Sequence, residues 1–357
     1  MPRKPAQSRG NENEQQADSL EQINFSDSQS SVRPGQIMRA GGVALSLLAS
    51  PLNVHILQAL EQEPKALLDL RRTVGSPPQS TMRLYSRNLT EQGVVNRRRR
   101  AEFPGSADYE LTESGRKLLR VAKVLEAWLG AAPSGPIALG TTASKSATKA
   151  LAEGWSTNIV RAIAARPLSL TELNKVIPKV SYPSLERRLG SMRLAGLVEP
   201  QPSERRGTPY GATDWLRRAV IPVATAAAWE RQYRPVGAQP IGRLGVEAVF
   251  LLSIPLLEMD SNFSGKFRLA VEVQSGSSPV FAGVLACFEG GVVVSCSSRL
   301  EGEADAWISG TPDAWLRRMS GMAQGGLEMR GDIGSAEGLL NALEGIGSLS
   351  PRNIDPV

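Results

Sequence analysis

The feature that most constrains this chain is a match of the sequence to itself. Shifted by 103 positions, one stretch lays its apolar residues on another: Ile56 falls on Ile159, Leu57 on Val160, Leu60 on Ile163, Pro64 on Pro167, Leu67 on Leu170, Leu70 on Leu173, Met82 on Leu185, Gly93 on Gly196 and Val95 on Val198. Such a match means that one supersecondary unit is used twice. Two Pro/Gly-containing breaks, at 130–140 and 234–242, separate the copies from each other and from the C-terminal third of the chain.

Both copies read as the same series of elements. In the first, "LNVHILQAL" has helical periodicity, "ALLDLRRTV" makes a short helix, and "PPQSTMRLYSRNLTEQG" opens on helix-start residues and closes on a helix-ending glycine. A strand "VVNRRRR", a turn over Pro104 and Gly105, a returning strand "YELT" and a helix "ESGRKLLRVAKVLEAWL" come next. The second copy repeats this with "GWSTNIVRAIA", "SLTELNKVI", "SYPSLERRLGSMRLAG", "LVEPQPSERRGTPYGATD" and "WLRRAVIPVATAAAWE".

Two helices, a recognition helix and a two-stranded wing make a winged helix-turn-helix. The second copy resembles the HxlR group in its "GW" before an apolar helix, in "PLSLTEL", in "SYPSLERRLGSMRLAGLVE" and in "RGTPYGATDWL". The first resembles the broader MarR/ArsR-like group through "STMRLYSRNLTEQGVV" and "YELTESGRKLL"; it lacks the first-helix tryptophan, and the second copy lacks the glycine of "LTESG". The resemblance implies a transcription regulator whose partner is double-stranded DNA, and a homodimer unless the two copies in one chain stand in for the pair.

Charge agrees with an anionic partner for the repeat alone. Residues 38–235 hold 29 Lys+Arg against 16 Asp+Glu, whereas 236–357 hold 8 against 14. A clustered positive field of this kind draws phosphate backbones. With Met82, Leu89 and either Tyr85 or Ser86 packed inward, helical spacing turns Ser80, Thr81, Arg83, Leu84 and Arg87 outward. In such a fold that face enters the major groove. The candidate contacts are Ser80, Thr81, Arg83, Arg87 and the wing residues Arg97, Arg98, Arg99 and Arg100 in the first copy. In the second they are Ser181, Tyr182, Ser184, Arg187, Arg188, Arg205 and Arg206. Strand alternation puts Arg97 and Arg99 on one face and Arg98 and Arg100 on the other. Glu186 on the outward face of the second copy predicts that the first supplies more of the phosphate affinity.

From Ile241 the texture changes. "EAVFLLSIPL", "KFRLAVEVQ", "PVFAGVLACFE" and "GVVVSCSS" read as strands, and "TPDAWLRRMSG" and "SAEGLLNALEG" as short helices. "ADAWISGTPDAWLRRMSG" followed by "GLEMRGDIGSAEGLLNAL" resembles the sterol-carrier-protein type 2-like fold, in which a strand ends in Gly-Asp, here Gly331 and Asp332, before a final helix. That resemblance implies an apolar cavity for a hydrophobic small-molecule effector, with Trp307, Trp315, Leu316, Met319, Leu339 and Leu340 as candidate lining; the same residues also suit an ordinary core.

The expected fold class is therefore mainly α with α+β: a disordered tail (1–37), rich in Gln, Asn, Ser and Glu, two tandem winged helices (38–132 and 141–235), and a sterol-carrier-like α+β domain (241–350). Two cysteines and one histidine leave little for a disulfide framework, a metal site or imidazole catalysis, so neither enzyme activity nor a cofactor is expected. No apolar run approaches a membrane span and the N-terminal residues lack a signal-peptide core, which points to the cytoplasm and, for a DNA binder, the nucleoid. The alternatives that remain are a winged-helix adaptor that docks proteins and a lipid-binding carrier.

Overall fold

The computed structural model describes residues 41–99, 107–204, 207–234, 243–275, 278–319 and 326–347. The tail at 1–37, Arg100, the Pro104–Gly105 turn, Arg205, Arg206 and residues 348–350 of the C-terminal reading lie outside them.

The first copy begins with helix α1 (Gly42–Leu48), an element absent from the sequence reading. Helix α2 (Pro51–Gln62) starts on a proline, whose missing N–H costs nothing there. A short strand β1 (Lys65–Ala66), helix α3 (Leu67–Thr73), helix α4 (Gln79–Glu91), strands β2 (Val95–Arg99) and β3 (Ala107–Leu111), and helix α5 (Glu113–Gly130) complete it. The second copy gives α6 (Thr142–Ser156), α7 (Ile159–Ala165), α8 (Leu170–Val176), α9 (Tyr182–Leu194), β4 (Val198–Pro200) and β5 (Tyr210–Ala212). One terminal helix was expected after it; two stand there, α10 (Asp214–Arg218) and α11 (Val220–Tyr233). Pro222 has no N–H to donate one turn back, which accounts for the break.

The self-match is a match of cores. Ile56 and Ile159, Leu57 and Val160, Leu70 and Leu173, Met82 and Leu185, and Val95 and Val198 are all buried, each side chain contributing about 1.5–3 kcal/mol by leaving water. Local geometry repeats as closely. Gly93 and Gly196 end α4 and α9 with φ of 68° and 78°. The following N–H groups of Val94 and Leu197 each donate to the carbonyl five residues back, at 3.0 and 2.9 Å, the helix stop that a left-handed glycine permits.

The C-terminal part is a five-stranded sheet in the order β10-β9-β6-β7-β8, built from β6 (Gly265–Ser275), β7 (Ser278–Glu289), β8 (Val292–Ser297), β9 (Ala306–Gly310) and β10 (Leu327–Gly331). Only the β6–β9 pair is parallel. Helices α12 (Arg243–Ser253), α13 (Pro312–Met319) and α14 (Ile333–Gly347) pack on the sheet. Gly331 closes β10 with φ 83°, and the Asp332 carboxylate accepts from Ser335 N–H at 3.1 Å to start α14, as the Gly-Asp reading expected.

One element was misread. "EAVFLLSIPL" is not a strand but helix α12 with a following 3₁₀ turn, Ile254–Leu256. Residues 246–252 are buried without exception, and an apolar run without alternation does not distinguish a buried helix from a buried strand.

Helix α12 also ties the C-terminal part to the second copy by packing on α7. Arg161 of α7 reaches Glu247, 1 % exposed, through Nη2 at 2.6 Å and Nε at 2.7 Å, and donates to Ser298 Oγ at 3.3 Å. Arg217 donates to the Leu251 carbonyl at 3.2 Å; burial pulls its guanidinium pKa down. Burial pushes the nearby Cys296 thiol up to about 12, so it is an inert packing group, while both cysteines are free and half-buried.

Candidate nucleic-acid interface

Helix α4 sorts its residues as a recognition helix would. Met82, Ser86 and Leu89 are buried, and Tyr85 is half-buried, so Ser86 takes the inward place that the sequence left open between the two. Ser80, Arg83, Leu84 and Arg87 are exposed and Thr81 is half-exposed. Asn88, absent from the sequence-derived candidates, is exposed on the same face, one turn beyond Leu84. Arg87 pairs with Glu91 across one helical turn at 3.6 Å, both side chains being exposed. A surface pair of that kind is weak and yields to a phosphate.

The hairpin extends this basic surface. Val95 pairs with Leu111, Arg97 with Tyr109 and Arg99 with Ala107, so Arg97 and Arg99 prolong the face whose base is the buried Val95, Tyr109 and Leu111. Arg98 points the other way, opposite Asp108, and Asn96 beside it donates to Glu110 at 3.3 Å. All three arginines are exposed. Thr112 anchors the wing: its hydroxyl donates toward the Gly93 and Val94 carbonyls at 2.7 and 3.0 Å and accepts from Gly115 N–H.

Helix α9 presents a different face. Ser181, Tyr182, Glu186 and Arg187 are exposed, while Ser184 and Arg188 are half-buried. By the 103-residue shift Glu186 stands where the first copy has Arg83, and Gly190 where it has Arg87. Leu194, 91 % exposed at the end of this helix, was not singled out from the sequence.

The copies also differ beneath these helices. In the second, α6 packs directly on α9: a Cβ added to Gly154 would meet Met192 Sδ at 2.7 Å. In the first, a cleft of about 760 Å³ opens between α1 and α4, lined by Ser46, Asn53, Leu84, Arg87 and Arg234 among others. Arg234, from the far end of the second copy, hydrogen-bonds Gln92 there. No local sequence signal links positions 142 residues apart.

The sequence-derived lining residues of the C-terminal part do not come together. Trp315, Met319, Leu339 and Leu340 are buried, with Trp315 donating to the Ala270 carbonyl at 2.9 Å and meeting Phe250 edge-on at 4.7 Å. Leu316 lies in α13, and nothing of its side chain is described. Trp307 lies in register with Arg268 and Arg330, next to Ile308, which is buried on the helix-covered face with Leu269. Alternation therefore puts Trp307 on the opposite face, with the two guanidinium groups 5.2 and 5.7 Å from its ring. Among the described residues no cluster of His, Cys, Asp or Glu is placed to hold a metal, and no single helix is long and apolar enough to cross a membrane.

A short helix, a recognition-type helix, an antiparallel hairpin and a terminal helix define a helix-turn-helix module. Residues 47–133 match the family model described as HxlR-like helix-turn-helix. The match falls on the first copy, whereas the sequence reading attached the HxlR resemblance to the second. The chain is similar in structure to a protein from Enterococcus faecalis V583 described as a transcriptional regulator of the MarR family, with 23 % identity over 29 % of this chain and 90 % of that one, at TM-score 0.24. It is also similar to a conserved hypothetical protein from Thermus thermophilus, described as a candidate sterol carrier protein, with 22 % identity over 26 % of this chain and 76 % of that one, at TM-score 0.20. No curated protein matches the sequence.

Proposed function

We propose that this protein is a DNA-binding transcription regulator whose two copies are tandem winged helices. The observation that carries the reading is the outward basic surface of the first copy. Arg83 and Arg87 leave a helix whose other side is buried, and Arg97 and Arg99 continue from the adjoining hairpin. The HxlR-like match over the same residues supports it. Arginines on a recognition helix reach guanine edges, and wing arginines reach phosphates.

The C-terminal part acts in assembly rather than in capturing a hydrophobic effector. Support comes from the packed Trp315, Met319, Leu339 and Leu340, and from the α12 dock on the second copy. That dock uses α7, α10 and α11 and leaves the exposed face of α9 clear.

The test is DNA binding by the full chain against salt. Neutralising about five phosphates gives a log–log slope near −4.5, so affinity should fall about 10²- to 10³-fold between 50 and 200 mM salt. Absence of DNA binding at low salt would sink the regulator reading in favour of a protein-docking adaptor.

A further inference from the structure

Resting on the DNA-binding reading, we infer that one chain is the complete reading unit and that its target is a duplex site with two unlike half-sites in inverted order. The evidence lies where the copies meet. Their terminal helices, α5 and α10–α11, pack on each other, as do their first helices, α1 and α6. Beyond the wings the equivalence shifts, because Thr112 and Thr213 make the same three hydrogen bonds, each hydroxyl binding two carbonyls after the recognition helix and accepting from the N–H three residues on. With these threonines aligned, Trp128 is the counterpart of Trp229 and Ser114 the counterpart of Trp215.

The contacts obey that equivalence. Trp128 Nε1 donates to the Trp215 carbonyl at 2.9 Å, and Trp229 Nε1 donates to the Ser114 carbonyl at 2.9 Å. Each copy thus gives the other the same indole and receives it on the same backbone atom. Reciprocal exchange between equivalent positions is the signature of an isologous, two-fold contact. Here both sides belong to one chain. Leu118, Val121, Leu125 and Trp128 of α5 and Val223, Ala226 and Trp229 of α11 are already buried, so the surface that would pair two chains is occupied within one.

A two-fold protein reads inverted half-sites about one helical turn apart. The symmetry ends at the recognition face, where Arg83 and Arg87 of one copy face Glu186 and Gly190 of the other, and Leu84 faces Arg187. Identical half-sites would suit neither pairing. The second copy alone carries the C-terminal part, which fixes which half is which.

The experiment selects duplexes from a random library with the full chain, then measures stoichiometry by native mass spectrometry and base preference for Arg83→Ala/Arg87→Ala and for Arg187→Ala. The expected result is one chain per duplex and two unlike half-sites. The double variant should lose about tenfold or more of its base discrimination in one half only, and Arg187→Ala in the other half only. Two chains on a palindrome, with either variant relaxing both halves equally, overturns this inference and leaves DNA binding intact. Failure to retain any duplex overturns the DNA-binding reading and this one with it.

Discussion

Replacing Arg161 with Leu tests whether the C-terminal part is held to the second copy by a buried ion pair. Glu247 is 1 % exposed and takes both Arg161 nitrogens on one carboxylate oxygen at 2.6 and 2.7 Å, so removing Arg161 strands its charge. Stranding a buried charge costs about 3–5 kcal/mol. The reverse loss, Glu247→Gln, is milder: the Arg161 side chain keeps 15 % exposure and its contact with Ser298 Oγ, giving about 1–2 kcal/mol. The double change to Arg161→Leu/Glu247→Leu removes both charges and should recover most of the loss. Urea unfolding gives the size, and amide exchange over 246–253 of α12 gives the place, because protection there depends on the dock. High salt should leave the wild-type value nearly unchanged, since water and ions do not reach the pair. A loss below about 1 kcal/mol for Arg161→Leu, or a double variant as unstable as the sum of the singles, would refute the reasoning.

Other expectations rest on single contacts. Removing Arg97 and Arg99 together should weaken DNA binding more than removing Arg205 and Arg206, and should flatten the salt slope by about 0.9 per lost phosphate contact; binding isotherms at several salt concentrations decide it, and an equal or reversed order contradicts the assignment. Gly115→Ala should destabilise by about 1–3 kcal/mol, because its Cβ would stand 2.2 Å from the Val94 carbonyl oxygen; thermal melts measure this. Trp128→Phe and Trp229→Phe should each cost about 1 kcal/mol for the lost indole hydrogen bond; clearly unequal values would argue against equivalent roles. Burial raises the Glu230 pKa against the opposing pull of three N–H donors, Gly41, Val43 and Ala44. The folded value then lies above the unfolded one, so this contribution is complete below the usual glutamate range and shrinks as pH rises through the folded value. Denaturation of wild type and Glu230→Gln across pH 4–8 should show that loss in the wild type only.

The repeat was legible because its cores coincide residue by residue through the recognition helices. It became illegible at the wing. Val95 pairs with Leu111 but Val198 with Ala212, so the second loop is two residues shorter and a single offset no longer aligns the terminal helices. Hence Trp128 and Trp229 fall out of register in the sequence, though they do the same thing in the fold. Alternation along a strand was enough to place Arg97 and Arg99 together and Arg98 apart. Periodicity failed at α12, where burial on all sides erases the pattern that separates helix from strand. The Arg161–Glu247 pair spans 86 positions, and each residue alone reads as an ordinary surface charge.

The differences between the copies amount to a division of labour. Arg161 has Gln58 as its counterpart in the first copy, and that residue is exposed. Only the second copy can therefore hold α12, and it does so on helices remote from its recognition face. The same copy has exchanged Arg83 and Arg87 for Glu186 and Gly190, giving up phosphate attraction where the first keeps it. Its first helix packs on its recognition helix, while α1 of the first copy stands off α4 and is capped from the other copy by Glu230. A symmetric frame with unlike ends needs no second chain for orientation. Its polarity on a duplex is set by which copy carries the arginines, and the C-terminal part is delivered to one side of the site.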